Sequence, residues 1–363
     1  MNMRPTSLPI STRLPSPSKP AAPIRLFAML LALGIAISGT VVLRAESTFA
    51  DIASIDRTLG PNATAYHALA EGRVEDAATL LRSTLATKPG DSTAHQLLCR
   101  AFYAQDQFDD AIPQCELAAA SQASSQTEAS NNQLWLGRAY GMKASHAGWI
   151  SGFTLARKVA ASFERAVQFD PNNVDAIDDL GEFYVEAPSI VGGGDNKAQT
   201  LAGRTMQRYP AAAHHLLARI AESNHDLGTA EAELKREVAV QGGSEAWIDL
   251  AEFYRAHARP DDALAAVKSG IAADHAHSAV LVAAATILTK ANRAPDLAER
   301  CLRDYLASHA KSDAAPAFKV HLQLSRLLQA RGDTKEASRE QEAAAALAPA
   351  FARSASARQA QGL

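Results

Sequence analysis

The chain has 363 residues, enough for one to three ordinary domains, and its 47% hydrophobic content is normal for a packed protein. Aromatic residues are scarce at 6% and alanine is the commonest residue, which suits closely packed helices because short side chains let helix axes approach. A net charge of −3 supplies no basic stripe to displace counterions from phosphates and argues against a nucleic-acid partner. Three cysteines without a CxxC pair argue against a zinc ribbon, a thioredoxin-type centre or a disulfide scaffold.

Residues 1–23 are rich in Pro and Ser, with Arg4, Arg13 and Lys19 as their only charges. No helix or strand pattern survives that proline density, and the stretch is read as a disordered leader. Residues 24–45 are read as a signal peptide or an N-terminal membrane anchor. They hold Leu26 to Leu43, LFAMLLALGIAISGTVVL, about eighteen residues without a charge. Arg25 precedes the run and Glu46 and Asp51 follow it, an asymmetry that keeps the N-terminus in the cytoplasm and sends the rest across. Ala45 and Ala50 offer small residues for cleavage; the length of the run and of its leader favours retention, with membrane contact through residues 26–43 if uncleaved. The blander alternative is a buried core helix, against which the run shows no polar face. Both export readings place the bulk of the chain in the periplasm, or anchored to the inner membrane outside the cytoplasm.

From 51 to 350 the sequence repeats itself. An alanine is followed twelve residues later by a proline at Ala77 and Pro89, Ala198 and Pro210, and Ala337 and Pro349. Upstream lies a second signature: Leu98-Cys99-Arg-Ala-Phe102, Leu136-Gly137-Arg-Ala-Tyr140, Leu180-Gly181-Glu-Phe-Tyr184 and Leu250-Ala251-Glu-Phe-Tyr254. Leucine, small residue and aromatic at i, i+1 and i+4 share one face of a helix, and the small residue admits a second helix. Proline stops that second helix. Ala77 to Ala111 spans 34 residues and Ala230 to Ala263 spans 33.

These residues resemble the tetratricopeptide-repeat (TPR) family, whose unit is a 34-residue antiparallel helix pair. The resemblance implies an all-α chain: a right-handed superhelical solenoid of about eight helix pairs, with a frayed tail at 351–363. It implies a non-enzymatic scaffold binding a protein or peptide, and first helices that line a concave groove. Candidate groove residues are Gln96, Arg100 and Tyr103; Asn131, Leu134 and Arg138; Asp178, Glu182 and Glu186; His215, Arg219 and Glu222; Ile248, Glu252 and Arg255. Arg100 and Arg138 form a basic end suited to a carboxylate, or else the charges pair internally on a solvated surface. The pattern does not reproduce the asparagine-and-lysine carboxylate clamp of chaperone-binding members.

Two insertions break the period, near 143–155 and 187–196; the pair resembles that in certain exported bacterial TPR proteins. Trp149, Phe153, Ile190 and Val191 would form a satellite core. Alternatively the inserts make a small-ligand or enzyme site, with the N–H groups of Gly192, Gly193 and Gly194 after Pro188 holding an anion and Lys197 assisting. The nucleotide fingerprint G-x-x-x-x-G-K-[ST] is missing. No H-E-x-x-H, no G-x-S-x-G and no cysteine beside an evident histidine and acid occurs, so no metal site, catalytic residue or cofactor is expected. Cys99 and Cys115 sit in the first and second helices of one unit, either bridged by a disulfide or as two buried thiols.

Overall fold

The computed structural model describes residues 59–353. The leader at 1–23, the apolar segment at 24–45 and residues 354–363 of the tail lie outside the described residues. Among the described residues there are sixteen α-helices and no strand, and no helix is long and apolar enough to cross a membrane.

The helices form eight consecutive pairs: α1 (Ala63–Ala70) with α2 (Val74–Thr87), α3 (Ser92–Ala104) with α4 (Phe108–Ala120), α5 (Gln126–Ser145) with α6 (Trp149–Phe169), and α7 (Val174–Glu186) with α8 (Asp195–Thr205). They continue as α9 (Pro210–Ser223) with α10 (Leu227–Gln241), α11 (Ser244–Ala256) with α12 (Pro260–Ala273), α13 (Ala279–Lys290) with α14 (Pro295–Ala307), and α15 (Ala317–Ala330) with α16 (Thr334–Leu347). The stretches around 214–242 and 276–308, which carry neither sequence signature in full, also form complete pairs.

Local chemistry starts the helices where the repeat demands. The Asp91, Ser125 and Asn173 side chains accept from the N–H groups of Ala94, Glu128 and Ala176, capping α3, α5 and α7. Pro210, Pro260 and Pro295 open α9, α12 and α14, where a missing N–H costs nothing. Pairing follows from the small residues: a Cβ on Gly137 would lie 2.3 Å from the Phe163 ring, so α5 and α6 meet at this distance only with glycine there. The signature residues Leu98, Leu136, Leu180 and Leu250 are all buried, as are Ala77, Ala111, Ala198, Ala230, Ala263 and Ala337.

The first insertion lengthens helices instead of making a loop. α5 has 20 residues and α6 has 21, against 13 in each of α3 and α4. Phe153 and Val191 pack on the core, whereas Trp149 and Ile190 are 65% and 67% exposed, so the expected satellite core forms by half.

The row of pairs closes on itself. Phe318 on α15, fully buried, joins the core of α1–α3 with Leu69, Leu81 and Leu97. A Cβ on Gly72 in the α1–α2 turn would lie 2.9 Å from the backbone nitrogen of Ala317. Phe351 is 7% exposed and stacks edge-on to Phe318 at 4.9 Å, so the tail is docked at this residue instead of frayed. Polar contacts ring the seam: Lys319 to Asp106 at 2.8 Å, and the Ala350 N–H to Glu75 at 2.9 Å. The segment between α14 and α15 is tied back by Tyr305, whose hydroxyl donates to the Ala315 carbonyl (2.7 Å) and accepts the Ser312 N–H (3.0 Å). It carries Asp313 past the first pair to Arg100 on α3, where Arg100 Nε and Nη2 meet the carboxylate at 2.7 and 2.6 Å.

Candidate functional site: the concave face

The first helices of successive pairs lie side by side, and the charges expected to face the groove meet one another along them. At the seam, Arg100 lies over the Trp135 ring (4.8 Å) and the Tyr66 ring (5.8 Å) while gripping Asp313. Burial disfavours its charge, but Asp313 outweighs burial and holds the guanidinium protonated more firmly than usual. Arg138, 3% exposed, lies over Trp135 at 5.0 Å and donates to Asp179 at 2.6 and 3.2 Å, with Asp175 at 3.9 Å. Tyr103 meets Trp135 edge-on at 5.5 Å, and burial pushes its phenol up. Gln96 is buried, and Asn131 accepts from Asn173 at 2.9 Å.

Further along, Arg219 reaches Glu222 at 2.7 Å, Glu186 at 3.0 Å and Glu182 at 3.8 Å. Burial and the neighbouring Glu186 push Glu182 up to about 7, against the pull of Arg219. Glu252 and Arg255 pair with each other at 2.6 Å. His215 has Glu237 at 3.4 Å and Asp249 at 3.5 Å. Burial opposes its charge, but Asp249, Glu237 and Asp178 prevail and push it up to about 10.

Of the two readings of these charges, the geometry favours internal pairing: Arg138 is buried, Arg100 has 14% of its side chain exposed, and each is engaged by an internal carboxylate. Sequence reading missed those partners. Asp179 lies one residue from the predicted Asp178, but Asp313 sits in a connecting segment with no periodic signal. Trp135, between the two guanidinium groups, was visible only as an apolar residue beside Leu136.

Of the two readings of the glycine insert, the anion cradle does not hold. The N–H groups of Gly192, Gly193 and Gly194 donate to the carbonyls of Ser189, Pro188 and Tyr184 at 3.1, 3.2 and 2.7 Å, leaving none for a ligand. Lys197 donates to Gly192 O at 2.8 Å and to Glu164 at 3.1 Å, and lies over the Tyr184 ring at 5.0 Å. Glycine is required at 193 because a Cβ there would lie 1.9 Å from the Ala187 carbonyl oxygen. Beside this loop, between α6 and α8, is a cleft of about 780 Å³, floored by Val167, Ile177, Leu180 and Leu201 and edged by Arg204 and Arg208. Cys99 and Cys115 are joined by a disulfide with Cα atoms 5.3 Å apart, tying α3 to α4; Cys301 is a buried thiol.

A family profile described as tetratricopeptide repeat matches residues 68–130, from the end of α1 into α5. Residues 68–130 are thus of the tetratricopeptide-repeat type. The helix pairing and small-residue contacts of the matched TPR units recur through the remaining pairs. Solved structures similar to this chain include a thermophilic TPR protein of Thermus thermophilus, at 20% identity over 60% of this chain and 92% of that one, with a TM-score of 0.39. A tetratricopeptide repeat protein from Parabacteroides merdae is 10% identical over 77% of this chain and 98% of its own, at a TM-score of 0.42. Yeast Tom70 is 16% identical over 92% of this chain and 70% of its own, at a TM-score of 0.43. No curated protein matches the sequence.

Proposed function

We propose that this TPR chain is a non-enzymatic scaffold of the cell envelope that holds a protein or peptide segment on its concave face. The carrying observation is the middle of that face. Glu182, Arg219, Glu252 and Arg255 keep 39%, 32%, 32% and 25% of their side chains exposed, while the charges near the seam are covered. Charge pairs held at fixed spacing on a rigid helical wall recognise a peptide by exchanging partners, donating to its carbonyls and carboxylates and accepting from its N–H groups. The disulfide suits an oxidising compartment, and the uncharged run at 26–43 supplies an export route.

A photo-crosslinking residue placed at 252 in intact cells tests this reading. Capture of a distinct protein from 252, absent when the same probe sits at the exposed Leu117 on α4, is the expected result. Identical captures from both positions, or recovery of the chain with itself alone, count against it. Release by osmotic shock or retention with membranes separates the cleaved from the anchored form.

The cleft between α6 and α8 favours a second reading, a small-ligand site beside the inserts. A metabolite that raises the melting temperature of the wild type but not of Arg204→Ala would support it.

A further inference from the structure

We infer that His215, Glu237 and Asp249 form a binding site for a divalent transition-metal ion, set into the concave face where the fifth and sixth pairs meet. The three residues come from α9, α10 and α11, and their ligand atoms all lie within 4.8 Å of one another.

The contacts are longer than ordinary charge-assisted hydrogen bonds and match the spacing of ligands around a metal ion. The other histidine–carboxylate pairs described in this chain are short: His214 to Glu233 at 2.7 Å, His257 to Glu222 at 2.8 Å and His321 to Glu340 at 2.6 Å. The same nitrogen of His215, Nδ1, instead has Glu237 at 3.4 Å and Asp249 at 3.5 Å. A charge-assisted N–H···O bond closes to about 2.7–2.9 Å, and both His215 contacts are longer than that. Around a tetrahedral ion with ligand bonds of about 2.0–2.1 Å, neighbouring ligand atoms stand about 3.3–3.4 Å apart. All the ligand atoms lie within 4.8 Å of one another, so coordination needs only a small approach.

A second observation points to a missing ligand. Glu237 is 1% exposed, and neither its Oε2 nor His215 Nδ1 has a hydrogen-bond partner. A buried carboxylate oxygen without a partner is costly, and a cation bound to it removes that cost. One imidazole nitrogen and two carboxylate oxygens suit Zn²⁺ and its first-row neighbours, and the carboxylates neutralise a divalent charge. With three protein ligands a fourth position remains for water or a guest on the concave side. This site stands or falls separately from peptide binding.

The test uses the full chain without a histidine tag, stripped with chelator, and titrated with Zn²⁺ by calorimetry and with Co²⁺ by visible absorption. One equivalent taken up, with the intense visible bands of tetrahedral Co²⁺, is expected. His215→Gln and Asp249→Asn each weaken uptake at least about tenfold, while His214→Gln does not, circular dichroism confirming that all three are folded. Absence of saturable one-equivalent uptake, or equal uptake by wild type, His215→Gln and Asp249→Asn, overturns the assignment.

Discussion

Ring closure depends on one ion pair more than on any other polar contact at the seam, and Asp313→Ala is the perturbation that shows it. Asp313 has 4% of its side chain exposed and Arg100 14%, and the two share paired bonds at 2.6 and 2.7 Å. Removing one member of such a pair leaves a buried charge uncompensated, at a cost of about 3–5 kcal/mol. Arg100 would keep its contacts with Trp135 and Tyr66, so the lower end, about 3 kcal/mol, applies. If α1 and α2 are held in place mainly by the seam, their amide protection against hydrogen exchange falls about 100-fold, because each 1.4 kcal/mol is a factor of ten. Adding Arg100→Met restores part of the loss, since the stranded charge is then gone. Small-angle scattering should register the opened ring as a larger radius of gyration. Protection of α1 and α2 unchanged within threefold in Asp313→Ala would refute the reasoning, leaving closure to the apolar contacts of Phe318 and Phe351.

Three further outcomes follow from the same structure. Thiol titration of denatured, unreduced protein should find one free group, Cys301, and reduction should cost about 3 kcal/mol, the entropy of a loop near 15 residues; three free thiols would contradict the α3–α4 bridge. Glu182 titrates near 7 in the folded chain, above its unfolded value, so ionisation lowers stability as pH climbs from about 4.5 to 7. Glu182→Gln should therefore melt higher than wild type at pH 8, with the gap closing by about pH 4.5; its partial exposure keeps the effect modest, and a pH-independent gap would contradict the assignment. Gly193→Ala drives a Cβ into the Ala187 carbonyl and should lower the melting temperature, whereas Gly203→Ala, exposed in α8 with open space around it, should gain about 0.5–1 kcal/mol by thermal or urea unfolding.

What could be read in advance was whatever each repeat enforces by itself. The leucine, small residue and aromatic at Leu136-Gly137-Arg138-Ala139-Tyr140 are a helix face in any context, and Gly137 meets Phe163 as that spacing demands. All eight units are full pairs, including those with little of the signature, because an unstacked neighbour would leave apolar faces in water. The inserts were located and their packing half-foreseen, in Phe153 and Val191, but not their form: the extra residues near 143–155 became additional helical turns, and the glycines near 187–196 turned their N–H groups inward. Composition cannot decide between a nest that faces a ligand and a turn that satisfies itself.

The sequence alone determined the helices, their pairing and their number, since those follow from contacts within about 34 residues, the length of one repeat. Only the tertiary structure decided that the row of pairs closes, because closure sums small rotations between neighbours that no single repeat encodes. That closure brings Asp313 to Arg100 from 213 residues away and sets the last pair on the first. It also decided which charges of the concave face are already engaged and that His215, Glu237 and Asp249 converge, since side chains from three helices meet only once the stacking angles are fixed.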